Sequence, residues 1–123
     1  MRVAVIGSRS IAKIDIERFL PEKISEIVSG GAIGIDSLAK EYAVNSGLKF
    51  TEFLPEYNKY GCNAPLKRND SIVEYAEFLV ILWDGQSRGT AYVIKKCEEL
   101  NKTHKIYIVS NNQYTALEIP TEN

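Results

Sequence analysis

The chain has 123 residues, 45% apolar and 25% charged, with 15 Lys and Arg against 16 Asp and Glu for a formal net charge of −1. That length suits one domain with one core, and near-neutral charge with a pI near 5.9 argues against a broad basic surface for duplex DNA while leaving room for a local positive pocket. No apolar run approaches the roughly 20 residues of a membrane-spanning helix, no signal peptide precedes the first strand-like run, and Cys62 and Cys97 form neither a disulfide framework nor a metal spacing. The expectation is a cytoplasmic domain over residues 1–110 with a polar tail over 111–123, calling for no cofactor, no metal and no membrane.

The pattern alternates strand and helix. Val3-Ala4-Val5-Ile6 is a short continuous apolar run closed by Gly7, as expected of a strand buried on both faces. A short helix is predicted through Asp15–Leu20, ending at Pro21. Ile24 to Ser29 reads as the second strand. Ile35, Leu38, Ala39, Tyr42 and Ala43 then mark an amphipathic helix, with Gly47 where a left-handed C-terminal cap belongs. Leu48 to Leu54 is the third strand, closed by Pro55. Glu56 to Ala64 lacks periodicity and reads as a loop. Pro65 opens a helix with Leu66, Asn69, Val73 and Ala76 on one inward stripe. Phe78 to Trp83 is the most apolar strand, a helix follows over Thr90–Leu100, and Ile106 to Val109 is the fifth strand.

Five strands separated by helices predict a doubly wound parallel sheet with right-handed crossovers and helices on both faces. Ligands of such sheets bind outside the carboxyl ends of the strands. Six of the eight glycines follow predicted strands, namely Gly7, Gly30, Gly31, Gly34, Gly85 and Gly89.

Four segments carry candidate chemistry. Ser29-Gly30-Gly31-Ala32-Ile33-Gly34-Ile35-Asp36 joins a strand to a helix, either as an anion site at the helix start or as a tight turn capped by Asp36. It has neither the Walker A nor the G-x-G-x-x-G spacing. Asp84-Gly85-Gln86-Ser87-Arg88-Gly89-Thr90 offers hydroxyls and a guanidinium for phosphate, or simply an N-capped turn with Arg88 in solvent. Lys67-Arg68-Asn69 places a guanidinium and a carboxamide in one helical turn, suited to a phosphate or base or to a solvated face. Ser8-Arg9-Ser10 has similar chemistry. His104 and Cys97 read as structural; Tyr57 and Tyr60 suit either base stacking or surface packing.

Ile27-Val28-Ser29-Gly30-Gly31-Ala32-x-Gly34-x-Asp36 resembles the G-G-A-x-G-x-D signature of the SLOG superfamily, the Rossmann-like group of the Lonely-Guy proteins and the DNA-processing protein DprA/Smf. Gly7-Ser8-Arg9, Arg68-Asn69 and Trp83-Asp84-Gly85-x-Ser87-Arg88-Gly89-Thr90 resemble its small stand-alone YspA/cpYpsA-related family, and the likeness runs over nearly all of Arg2–Val109. The resemblance implies a Rossmann-like five-stranded sheet, in the order 3-2-1-4-5 by analogy, with a nucleotide or nucleotide-derived ligand at the strand ends. It points to Gly7, Ser8, Arg9, Ser29, Gly30, Gly31, Gly34, Asp36, Arg68, Asn69, Asp84, Ser87, Gly89 and Thr90, to which Arg88 is added for its charge.

Lonely-Guy enzymes cleave the N-glycosidic bond of nucleoside monophosphates with a Glu that falls here at Val93, so the chemistry's carboxylate is missing. Asp36, Asp84 and Arg68 are the remaining catalytic candidates. The reading is therefore a sensor or binding protein for a small nucleotide-type ligand. Nucleoside 5′-monophosphate hydrolysis is the alternative. Single-stranded DNA binding, as in DprA, is a second alternative that the near-neutral charge disfavours. The resemblance also allows a homodimer.

Overall fold

The computed structural model describes residues 1–11, 14–30, 34–110 and 113–117. Two strands lie side by side at the centre of the sheet, β1 (Arg2–Gly7) and β4 (Phe78–Trp83), in register from Val3 opposite Phe78 to Gly7 opposite Leu82. β2 (Glu26–Ser29) and β3 (Lys49–Glu52) extend the sheet on the β1 side, and β5 (Thr103–Ser110) extends it on the β4 side, all parallel. The five parallel strands thus stand in the order 3-2-1-4-5, the doubly wound arrangement that the sequence reading expects. β6 (Gln113–Leu117) adds an antiparallel edge strand beside β5, where the sequence reading has only a polar tail. A five-residue segment is too short for its periodicity to show.

Alternate residues of each strand feed two cores. Val3, Val5, Ile27, Val80 and Leu82 face helix α1 (Ile35–Asn45) and a 3-10 turn at Ile16–Phe19. Ala4, Ile6, Val28, Leu79 and Ile81 face the opposite helices, α3 (Ala64–Tyr75) and α4 (Arg88–Glu99). Apolar side chains on both faces explain why the strands read as continuous hydrophobic runs.

Helix ends follow local chemistry. Beyond α1, Gly47 takes a positive φ of 68°, so the Leu48 N–H reaches the Ala43 carbonyl at 2.8 Å and the Gly47 N–H the Val44 carbonyl at 3.3 Å, a Schellman cap. The helix expected at Asp15–Leu20 shrinks to the 3-10 turn, because Leu20 is extended (φ −84°, ψ 141°) ahead of Pro21. The segment expected as a loop before α3 is instead helical: a one-turn helix, α2 (Tyr57–Tyr60), and a 3-10 turn at Gly61–Asn63 lead into α3. Single turns leave no periodic trace in sequence.

Candidate functional site

β1 and β4 end together, and the chain leaves them in opposite directions: toward β2 from β1, and through α4 toward β5 from β4. This divergence opens a crevice at the carboxyl ends of the strands, the general ligand position of open α/β sheets. A cleft of about 350 Å³ occupies it. Val5 and Ile6 contribute apolar surface, Gly7, Arg9, Ser10, Ser29 and Gly30 line the β1–β2 side, and Asp84, Ser87, Gly89 and Thr90 line the side where β4 passes into α4. Pro65, Leu66, Arg68 and Asn69 form a wall from the first turns of α3.

Most residues singled out in the sequence meet in this cleft. Ser8 lies beneath it, 1% exposed. Arg88 is exposed at the start of α4 and does not line it. Gly34 caps α1 with a φ of 88°, and neither it nor Asp36 lines the cleft. Gly31, like Ala32 and Ile33, lies outside the described residues. Lys67 is exposed and does not line the cleft. Ser10, the last residue of the Ser8-Arg9-Ser10 segment, lines the cleft too, while Pro65 and Leu66 are lining residues that the reading did not nominate as ligand contacts, although each is within three residues of Arg68. Leu66, expected on the inward stripe of α3, is 39% exposed at the cleft instead; Ile72, Val73 and Ala76 carry that stripe.

Two of the glycines serve packing. A Cβ on Gly7 would collide with the Ile35 side chain, which is 1% exposed and has no room to move. A Cβ on Gly30 would sit 3.0 Å from Ile72 Cδ1 and 3.2 Å from Arg68 Cδ. Gly7 therefore lets α1 press against β1, and Gly30 makes room for the Arg68 stem. Gly89 has open space where its Cβ would be, so backbone can be approached there.

Asp84 organises one wall. Its Oδ1 accepts the Gln86 N–H at 2.9 Å and the Ser87 N–H at 2.7 Å, and its Oδ2 accepts the Ser10 hydroxyl at 2.9 Å. Its own N–H donates to Ser8 Oγ at 3.1 Å, and that hydroxyl pairs with Thr90 Oγ1 at 3.3 Å. Partial burial pushes the Asp84 carboxyl up, but the bonds from Gln86, Ser87, Ser10 and Ser8 outweigh it and hold the group below the usual carboxylate range. A carboxylate so engaged stays ionised and fixes the loop; it is poorly placed to carry a proton in chemistry. Ser8 and Thr90 are tied into this frame rather than offered to the cleft.

The opposite wall is cationic. Arg68 donates from Nε to Asn69 Oδ1 at 2.7 Å and from Nη1 to the Gly30 carbonyl, which aims the guanidinium across the end of β2. Asn69, half-buried, thus serves to orient Arg68. Burial depresses the Arg68 pKa, Arg9 depresses it further, and Tyr57 and Asp36 act in the other sense. Neither Arg9 nor Arg68 forms an ion pair with a described residue. Two guanidiniums on one cleft, neither in an ion pair with a described residue, favour an incoming anion even with the Asp36 charge acting on Arg68.

The α4 terminus adds donors. Its N-cap, Ser87, makes no side-chain cap, and Gly89 and Thr90 in the first turn line the cleft. The first-turn N–H groups and the helix dipole therefore favour negative charge on this side too.

The remaining candidates lie elsewhere. Asp36 and Glu52 share a side-chain hydrogen bond that, with burial and the Asp36 charge, raises the Glu52 carboxyl above its usual range despite Lys40. Val93, on the buried face of α4, is 1% exposed in the core and offers no polar group to the cleft. Cys97 is fully buried, its thiol pushed up to about 12 by burial. Among the described residues no group of His, Cys, Asp and Glu is arranged to hold a metal ion, and no helix is long and apolar enough to cross a membrane. No protein-family model matches the chain, and neither a curated protein nor a solved structure matches it.

Proposed function

We propose that the cleft binds a small phosphate-bearing ligand of the nucleotide type, as a sensor or binding protein. The observation that carries this reading is Arg9 and Arg68 facing one cleft with no ion pair to a described residue. Guanidiniums are the side chains best suited to grip phosphate oxygens by paired N–H bonds. The uncapped start of α4 supports the same reading, since its amides suit oxygens arriving from the other side. So does the volume of about 350 Å³, at the small end for ligand sites. The resemblance to SLOG proteins points to the same ligand class.

Binding is favoured over hydrolysis for a physical reason. Among the described residues that line the cleft, Asp84 is the only carboxylate, and its oxygens already hold three hydrogen bonds. Glycoside cleavage needs a carboxyl group able to change role.

A thermal-shift panel of nucleoside mono- and diphosphates, cyclic nucleotides and ADP-ribose tests the reading. At least one should raise the Tm of the native chain, and Arg68→Ala should abolish that rise. No shift with any of them, or equal shifts in the Arg68→Ala protein, would overturn it.

A further inference from the structure

We infer that the hollow over residues 55–59 seats the nucleobase of the ligand, stacked on Tyr57, while its phosphate lies between Arg9 and Arg68. This rests on the preceding reading of the cleft and adds a ring-recognition subsite to it.

The tyrosines differ in what they do. Tyr75 donates to Glu26 and packs on Phe53 with centroids 5.5 Å apart, Tyr92 donates to Asp70 at 2.7 Å, and Tyr107 stacks on Phe19 with centroids at 4.7 Å. Tyr57 is 58% exposed and makes no hydrogen bond or ring contact with a described residue. A large aromatic surface left in water without a polar tether is available for a flat partner.

Its position relates it to the cleft. Tyr57 opens α2, which packs against α3, the helix that supplies Pro65, Leu66 and Arg68 to the cleft wall. Its phenol is near enough to Arg68 to affect that guanidinium's titration. A hollow of about 390 Å³ runs along Pro55, Glu56, Tyr57, Asn58 and Lys59. It combines an apolar face, from Tyr57 and Pro55, with the amide of Asn58 and the carboxylate of Glu56, which suit the donors and acceptors of a base edge. Leu66, 39% exposed in the cleft wall, adds apolar surface on the α3 side. A molecule that is anionic at one end and planar at the other matches this sequence of surfaces.

The test compares ribose 5-phosphate, which has the phosphate and sugar alone, with AMP, GMP, CMP and UMP by isothermal titration calorimetry on the full chain. Stacking tolerates any base and strengthens binding by roughly ten-fold or more, so at least one nucleotide should bind about ten-fold tighter than ribose 5-phosphate. Tyr57→Ala should erase that advantage, while Tyr57→Trp should keep it. Equal affinities for ribose 5-phosphate and every nucleotide would overturn the subsite alone, as would a Tyr57→Ala protein that weakens both probes alike. Absence of binding by every probe would overturn the subsite together with the anion-binding reading. Tyr57 is exposed, so these variants keep the core intact.

Discussion

The two ends of the sheet treat their charges in opposite ways. At the amino ends of the strands, Arg2 lies over the Tyr75 ring at 4.8 Å, donates to the Tyr75 carbonyl at 2.8 Å and meets Glu77 at 3.6 Å. Glu26, 6% exposed, accepts the hydroxyls of Thr51 and Tyr75, each at 2.7 Å, and meets Lys49 at 3.8 Å. At the carboxyl ends, Arg9 and Arg68 form no ion pair with a described residue, and Asp84 is committed to its own loop. The amino end thus pairs its charges within the chain, and under the proposed function the carboxyl end is the one that a ligand would complete. Stability and function are expected to separate along this axis.

The largest expected effect is at Arg68. Arg68→Ala should weaken binding of whichever nucleotide raises the native Tm by about 100-fold, corresponding to about 3 kcal/mol for a lost charge-assisted bidentate contact. It should leave stability almost unchanged, because the substitution also relieves repulsion from Arg9. Arg2→Ala offers the mirror image, a loss of up to about 1 kcal/mol in stability for a partly exposed pair with unchanged binding. Calorimetric titration and thermal melts of both proteins check this. A matched loss of stability in Arg68→Ala would mean that the two ends are alike after all.

Gly7 shows how far a sequence can be read. The doubly covered parallel sheet was legible because continuous apolar runs such as Val3–Ile6 and Phe78–Trp83 imply strands buried on both faces, and their alternation with helices limits the topology, while the order of the strands came by analogy. The site was legible to the extent that strand ends converge in this topology. The role of each glycine was not legible. Gly7 and Gly30 follow strands just as Gly89 does, yet they answer to Ile35 and Arg68, residues 28 and 38 positions further along, and only tertiary packing reveals that. Asn69 lines the cleft, and only the folded chain shows that its carbonyl oxygen also accepts from the neighbouring arginine. Gly7→Ala should accordingly cost about 1–3 kcal/mol by overpacking. The second substitution Ile35→Ala should recover part of that loss, which denaturant melts of the double-mutant cycle would measure. Additive losses would show that Gly7 is required for another reason.

Glu26 is expected to make the amino end sensitive to acid. Burial raises its carboxyl, but the hydroxyls of Thr51 and Tyr75, with the charges of Lys49 and Arg2, outweigh this and leave it below the ordinary value of 4.5. A carboxyl lowered in the folded state contributes stability that is present above its unfolded value and lost as pH falls through its folded one. Stability should therefore decline as pH drops below about 4.5, and Glu26→Gln should flatten that decline while costing about 1–2 kcal/mol at neutral pH. Urea melts at pH 3 to 7 distinguish the outcomes; an unchanged pH slope in Glu26→Gln would place the acid sensitivity in Asp84 or Glu77, whose carboxyls are lowered as well.

The smallest expected effect lies at Ser10, beside Arg9. Its exposed hydroxyl donates to Asp84 Oδ2 at 2.9 Å, while the other oxygen of Asp84 keeps both amides of its loop. Ser10→Ala should thus cost only about 0.5 kcal/mol in stability, the low end for a single hydrogen bond. It should still loosen the segment that carries Arg9 and weaken nucleotide binding a few-fold. Thr51→Val removes a hydroxyl bond of similar length to the buried Glu26 and should behave in the reverse way, costing about 1 kcal/mol with no change in binding. Equal stability losses in the two proteins, with binding unaltered in both, would show that Ser10 merely braces its loop and that the Arg9 segment needs no such tether.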